Sequence, residues 1–300
     1  MFRCRKPALI AIAVLGVGVS VGAQVRRSPS VAQLKEEAAK AESQGNEERA
    51  IQLYSQLVAQ TPEWIDGWWS YGQLLYHSHR FADAAQAFGR LTRLAPDNPL
   101  GFALLGLCEY EEGDWNSASL HLNKALAGHK GMPASVSQPA AYHLGLALMR
   151  QRKAESALLT LRTLFQQAPD YPGLQLALGS AQLNLEQVPD PASPLFPAAE
   201  KAGEAAIAIL QERKKDAEAA YRTLVSQFSA QPCVHLDFGM FLESERRDQE
   251  ASAEFLTETK TNPGSAAAWL WLARIALDQR DAAAARANAL QARQDRKSVV

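Results

Sequence analysis

The chain has 300 residues, 47% hydrophobic and 21% charged, with a formal net charge of −1. That balance suits a folded chain and excludes a disordered or collagen-like one. With 31 Lys and Arg against 32 Asp and Glu, it offers no basic stripe for a nucleic-acid backbone.

The first element in chain order is a targeting segment, 1–23. Arg3, Arg5 and Lys6 precede an apolar run from Ala8 to Val19, and Val21-Gly22-Ala23 places small residues where a signal peptidase cuts. The run is short for a bilayer span, which needs about 20 apolar residues. The expectation is export, periplasmic or extracellular, with no stable membrane insertion after cleavage. The alternative is an uncleaved N-terminal anchor. Cys4 lies before the apolar run, so it is not the acylated cysteine of a lipoprotein signal. A linker, 24–30, follows. The other two cysteines, Cys108 and Cys233, are read as free thiols too far apart to bridge.

From Val31 onward a pattern recurs, mostly every 34 residues, with units starting at Val31, Ile65, Pro99, Gln138, Pro172, Ala198, Pro232 and Ala266. The eighth place is always small, with Gly72, Gly106, Gly145, Gly179 and Gly239 the glycines among them. The twentieth is alanine at Ala50, Ala84, Ala118, Ala157, Ala217, Ala251 and Ala285. The twenty-fourth is bulky: Tyr54, Phe88, Leu122, Leu161, Tyr221 and Phe255. Prolines close units at Pro62, Pro96, Pro169 and Pro263. Small residues on two antiparallel helices let the helices approach, bulky ones fill the space beside the crossing, and proline ends the second helix. A fixed period of this length marks a stack of helical hairpins, each burying its apolar face on its neighbours.

The period breaks twice. Five extra residues fall within Gly128–Ser135, a loop by composition. Further on, a first helix from about Pro172 to Gln187 runs into Val188–Pro197, where four prolines in ten residues exclude a second helix. The fifth unit is therefore expected to lack its second helix. Ala198–Phe228 reads either as two helices with a turn near Arg213–Asp216, or as one long helix replacing the missing one. The expected organisation is an array over 31–187, a proline-rich loop over 188–197, a second array over 198–296 and a tail, 297–300.

These places resemble the tetratricopeptide repeat (TPR) family over nearly everything after residue 30. The resemblance implies an all-α helix–turn–helix solenoid, a right-handed superhelix of about seven to eight units. It further implies that the concave groove is lined by the first helix, chiefly at places two, five, nine, twelve and thirteen. Here those places hold Trp69, Gln73, Tyr76, Tyr110, Tyr142, Met149 and Arg150. Tyrosine, tryptophan and arginine suit a protein-binding surface, although the same aromatics also suit packing between neighbouring first helices. The family's carboxylate clamp is not matched, since Lys35 fits it but Ala39 and Ser70 do not.

No metal-ligand spacing, phosphate loop or nucleophile motif occurs, and the six histidines read as surface or packing residues. The expectation is a non-enzymatic scaffold without metal or cofactor, binding a protein or peptide and no nucleic acid. The alternative is a structural component acting by self-association or within a cell-envelope assembly.

Overall fold

The computed structural model describes residues 30–128 and 132–297. The expected signal segment, most of the expected linker, the middle of the Gly128–Ser135 loop and residues 298–300 lie outside the described residues. Among those described, every regular element is an α-helix. They are α1 (Val31–Ser43), α2 (Glu47–Gln60), α3 (Ile65–His77), α4 (Phe81–Leu94), α5 (Pro99–Glu111), α6 (Trp115–Ala127), α7 (Ala134–Arg150) and α8 (Ala154–Gln167). Then come α9 (Leu174–Gln182), α10 (Phe196–Leu210), α11 (Lys214–Gln227), α12 (Val234–Ser244), α13 (Asp248–Thr261), α14 (Ala266–Asp278) and α15 (Ala282–Lys297).

Local rules set the boundaries. Ser30 and Gln33 form a reciprocal cap on α1, while Asn46, Asn98 and Asp114 cap α2, α5 and α6. Each first helix ends in one left-handed residue: Gly45, His79, Gly113, Arg152, Asn184, Glu212, Arg246 or Arg280. The amide of the following residue then bonds five residues back, as in Asn46 to Ala41, Arg80 to Leu75 and Asp281 to Ala276. This Schellman turn satisfies carbonyls that a helix end otherwise leaves open. Pro62, Pro96, Pro169 and Pro263 each stand just beyond the end of a second helix, as the repeat pattern requires.

The repeat places do what their sizes dictate. All seven twentieth-place alanines are buried, most of them completely. The twenty-fourth-place side chain sits in the socket of the eighth-place glycine. A Cβ added at Gly72 would lie 2.7 Å from Phe88, at Gly106 2.7 Å from Leu122, at Gly145 2.6 Å from Leu161 and at Gly239 2.6 Å from Phe255. The second helix of each regular hairpin packs on the first helix of the next, and first helices also touch directly, α5 on α7 and α7 on α9.

The middle of the chain departs from expectation. α9 ends at Gln182 and still makes the Schellman turn, with Leu185 N bonding Ser180 O. The chain is then irregular from Leu183 to Leu195, where the prolines forbid a helix, and Pro197 already lies in the first turn of α10. The fifth unit is not short of a packing partner, because α10 packs most closely on α9 and also on α11. One helix thus serves two neighbours. The stretch 198–228 is two helices, α10 and α11, joined by a three-residue turn.

The α9–α10 contact is of another kind from the others. A Cβ on Gly179 would fall 1.8 Å from Ala199 O, and one on Gly203 2.1 Å from Gln175 O. Backbone meets backbone, which only residues without side chains permit. Leu183 and Leu185 fill the core beside this crossing and Val188 packs on the preceding one, while Leu195 and Phe196 sit half-buried where α10 begins.

Candidate functional site

The first-helix face divides the expected site residues into two groups. Trp69 packs edge-on against Phe88 at 6.2 Å, and Gln73 is half-buried one turn along α3. Met149 is 1% exposed and belongs to the core beside Ala157 and Leu161, so it leaves the surface set. Its unbranched side chain fills the gap that a tyrosine occupies at the same place in the two preceding units.

Tyr110, Tyr142 and Arg150 come together with three residues outside the inspected places: Trp115, His143 and Tyr171. The ring of Tyr110 lies 5.0 Å from Trp115 and 4.8 Å from His143, both edge-on. His143 meets Tyr142 at 5.6 Å, and Tyr142 meets Tyr171 at 5.1 Å. The Arg150 guanidinium lies over the Trp115 ring at 5.1 Å. Tyr76 extends the row toward the N-terminus, half-buried between two cores and edge-on to Phe81 at 5.5 Å.

Why these residues gather follows from the repeat. Tyr76 and Tyr110 occupy the twelfth place, which packs on the first helix of the next unit, and Tyr142 occupies the fifth. Trp115 opens α6, one turn from Tyr110 across the Gly113 turn, whose φ of 80° keeps that turn tight. Gly173, also left-handed at φ 77°, leaves room for the Tyr142 hydroxyl, which would lie 2.7 Å from a Cβ there. His143 Nδ1 is 2.8 Å from Pro139 O. A carbonyl only accepts, so Nδ1 carries the hydrogen, which leaves Nε2 as the acceptor nitrogen of a neutral ring.

Burial raises the phenol pKa of Tyr76, Tyr110, Tyr142 and Tyr171 above the ordinary value. For Tyr110 the next influences are Arg150, which opposes the rise, and Glu111, which adds to it. Glu111 also acts on Tyr76. The row is therefore a run of neutral phenols flanked by one carboxylate and one guanidinium.

Other polar clusters have structural work. His121 and Glu109 are 2.7 Å apart and join α6 to α5. His235 contacts Glu254 at 2.6 Å and Ser229 at 3.0 Å, fastening α12 to α13 and to the preceding turn. Glu258, fully buried, accepts from Cys233 N at 3.0 Å and Leu236 N at 3.3 Å, capping α12. Cys108 and Cys233 are free, and burial pushes each thiol up to about 12, where a thiolate is scarce. No group of His, Cys, Asp and Glu among the described residues could hold a metal ion. No helix among them is long and apolar enough to cross a membrane.

An all-helical stack of repeated hairpins with small-against-bulky crossings defines a helical repeat protein. Two stretches of the chain, residues 70–133 and 241–298, match the family model for the tetratricopeptide repeat. No curated protein matches it by sequence. Similar solved structures include a MamA protein at 15% identity and TM-score 0.47, covering 66% of this chain and 95% of that one. A tetratricopeptide repeat protein from Parabacteroides merdae gives 12% identity and TM-score 0.42, over 88% and 92% of the two chains. YrrB, described as a TPR protein with an unusual peptide-binding site, gives 12% and 0.39, over 72% and 95%.

Proposed function

We propose that this chain is an exported, non-enzymatic scaffold that binds an extended segment of a partner protein along the concave first-helix face of its second to fifth units. One observation carries the reading. Tyr76, Tyr110 and Tyr142 stand on the first helices α3, α5 and α7 and Tyr171 in the turn before α9, their hydroxyls without a partner among the described residues, beside an arginine lying over a tryptophan. Rigid aromatics with polar tips lose little entropy on binding and are the usual anchors of interfaces. The supporting test is affinity capture from an envelope fraction with the chain beginning at Gln24. Tyr110→Ala with Tyr142→Ala should lose the captured partner while the helical content is kept. Retention of the same partner by the double variant contradicts the reading.

Self-association is the second reading, favoured by a different surface. Leu120 and Leu159 are 66% and 69% exposed and border a cavity of about 570 Å³ between α6 and α8. Exposed leucines of this kind are a common mark of association. Light scattering decides it, since a monomer at all concentrations contradicts association through this face.

A further inference from the structure

Building on the self-association reading above, the second-helix face specifies how two copies meet. Leu159 and Leu120 are the most exposed large apolar side chains among the described residues, at 69% and 66%. They stand on neighbouring second helices, α8 and α6, at the rim of one trough whose floor is α7. The cavity of about 570 Å³ beside them runs into a second of about 310 Å³, since Asn123, Leu144, Leu159 and Thr160 line both. Leu144 and Leu148 form the floor, on the side of α7 away from Tyr142.

The polar side chains of the trough are uncharged over most of its length: Asn116, Asn123, Ser156, Thr160, Thr163 and Gln167. Lys153, where α8 begins, is the exception. Two other hollows between helices differ. That beside α2 and α4 carries Asp83 and Arg90, and that beside α10 and α11 carries Lys201, Glu204, Arg213 and Asp216. Charge is depleted at the centre of protein interfaces. A foreign partner is steered and selected by complementary charge, which this trough lacks along its length. A second copy needs none, because a neutral face meets its own image without like-charge repulsion.

Shape points the same way. A two-fold contact joins one patch to itself, so the patch must hold both a protrusion and the hollow that receives it. Here two leucines project beside an open trough. We infer that two copies of this chain pair back to back through the α6–α8 trough, about a two-fold axis near Thr160, each seating Leu120 and Leu159 on the other. The first-helix row stays uncovered, so the pair presents two rows facing away from each other. The trough is about 20 Å long by the helical rise along α8 and about 20 Å wide by two helix spacings. That footprint of about 400 Å² per copy is half the ~800 Å² of a standard interface, so the pair is reversible, with a dissociation constant on the order of 10 µM.

Sedimentation velocity of the chain from Gln24, over about 1 to 100 µM, should show a monomer passing to a dimer and to nothing larger. Leu120→Ser with Leu159→Ser should raise the dissociation constant by about tenfold or more. Both side chains face solvent, so the helical content should be unchanged. Thr160→Lys and Thr160→Glu should each be monomeric, because each sets like charges across the axis, and an equal mixture of the two should regain the dimer. A parent chain that stays monomeric throughout overturns this pairing together with the self-association reading. A dimer that persists in the leucine variant, or a mixture that is not restored, overturns the pairing alone and leaves association to another face. Assemblies that grow beyond the dimer overturn the two-fold contact, since growth needs two different patches.

Discussion

The helix crossings of the regular hairpins and the crossing at the middle of the chain solve one problem in two ways. At Gly72, Gly106, Gly145 and Gly239 the close approach is made by a large side chain, Phe88, Leu122, Leu161 or Phe255, seated on the glycine. At Gly179 and Gly203 no side chain intervenes, and the backbones of α9 and α10 touch. A side chain can swing aside and a backbone cannot. The regular hairpins therefore tolerate exchange of one filler for another, whereas the junction depends on two glycines at once. It is also where one helix, α10, must satisfy neighbours on both sides.

The largest effect that tests this contrast is at the junction. Gly179→Leu should destabilise by upwards of about 4 kcal/mol, beyond the usual overpacking cost, because the atoms met are backbone. Gly145→Leu should cost on the order of 1–3 kcal/mol, since Leu161 can yield. Chemical denaturation of the two variants checks the order, and a costlier Gly145→Leu breaks the comparison. Hydrogen exchange sharpens it: each loss of protection should stay near its own crossing, because stability in a stack is roughly a sum over neighbours.

A smaller effect concerns the irregular segment. Leu185→Ser with Val188→Ser should cost about 1–3 kcal/mol, because these side chains face the cores on either side of the junction. Leu195→Ser with Phe196→Ser should cost less. The opposite order in thermal denaturation would show that the start of α10, not the loop, covers the junction.

The smallest effect is a pH dependence within the second half. Asp237 is half-buried on α12. Its carboxyl is raised well above the usual carboxylate range, by burial first and by the charge of Glu258 second, with Arg162 opposing. A raised folded-state value means that the folded chain holds the proton more tightly. The stability this contributes is present below the unfolded value near 3.8 and declines as pH rises through the folded value. Asp237→Asn should therefore gain stability relative to the parent chain at neutral pH and show no such gain at pH 3. A loss at neutral pH contradicts the assignment.

The regular crossings were legible in the sequence because each reports a local steric rule. Small residues stand at places eight and twenty, a bulky one at twenty-four, and a proline just past the second helix. The double role of α10 was not legible, because the repeat template assigns each helix one partner. In hindsight the signal lay in Ala198, Ala199, Ala202, Ala205, Ala206 and Ala208, buried alanines on both flanks of one helix, with Gly203 four residues after Ala199. In the candidate site, the repeat places named Tyr110, Tyr142 and Arg150, which the structure brings together around Trp115 and His143. Met149 was misplaced there, since the place fixes a direction but not whether the next unit closes over the side chain. Trp115, His143 and Tyr171 lie outside those places and gather only through the turns at Gly113 and Gly173.

The first-helix face shows a parallel contrast, and it bears on function. Over the second to fifth units it carries phenols and an arginine that make no hydrogen bond or ion pair among the described residues. Over the seventh and eighth it carries exposed Met240, Leu270 and Leu277 with an arginine already paired. The most direct measurement is therefore capture of an envelope partner by three proteins side by side: the parent chain, the Tyr110→Ala, Tyr142→Ala variant, and a Met240→Ser, Leu277→Ser variant. The expected result is loss of the partner in the tyrosine variant alone. Loss in the Met240, Leu277 variant, with the tyrosine variant unaffected, would contradict the placement of the binding face.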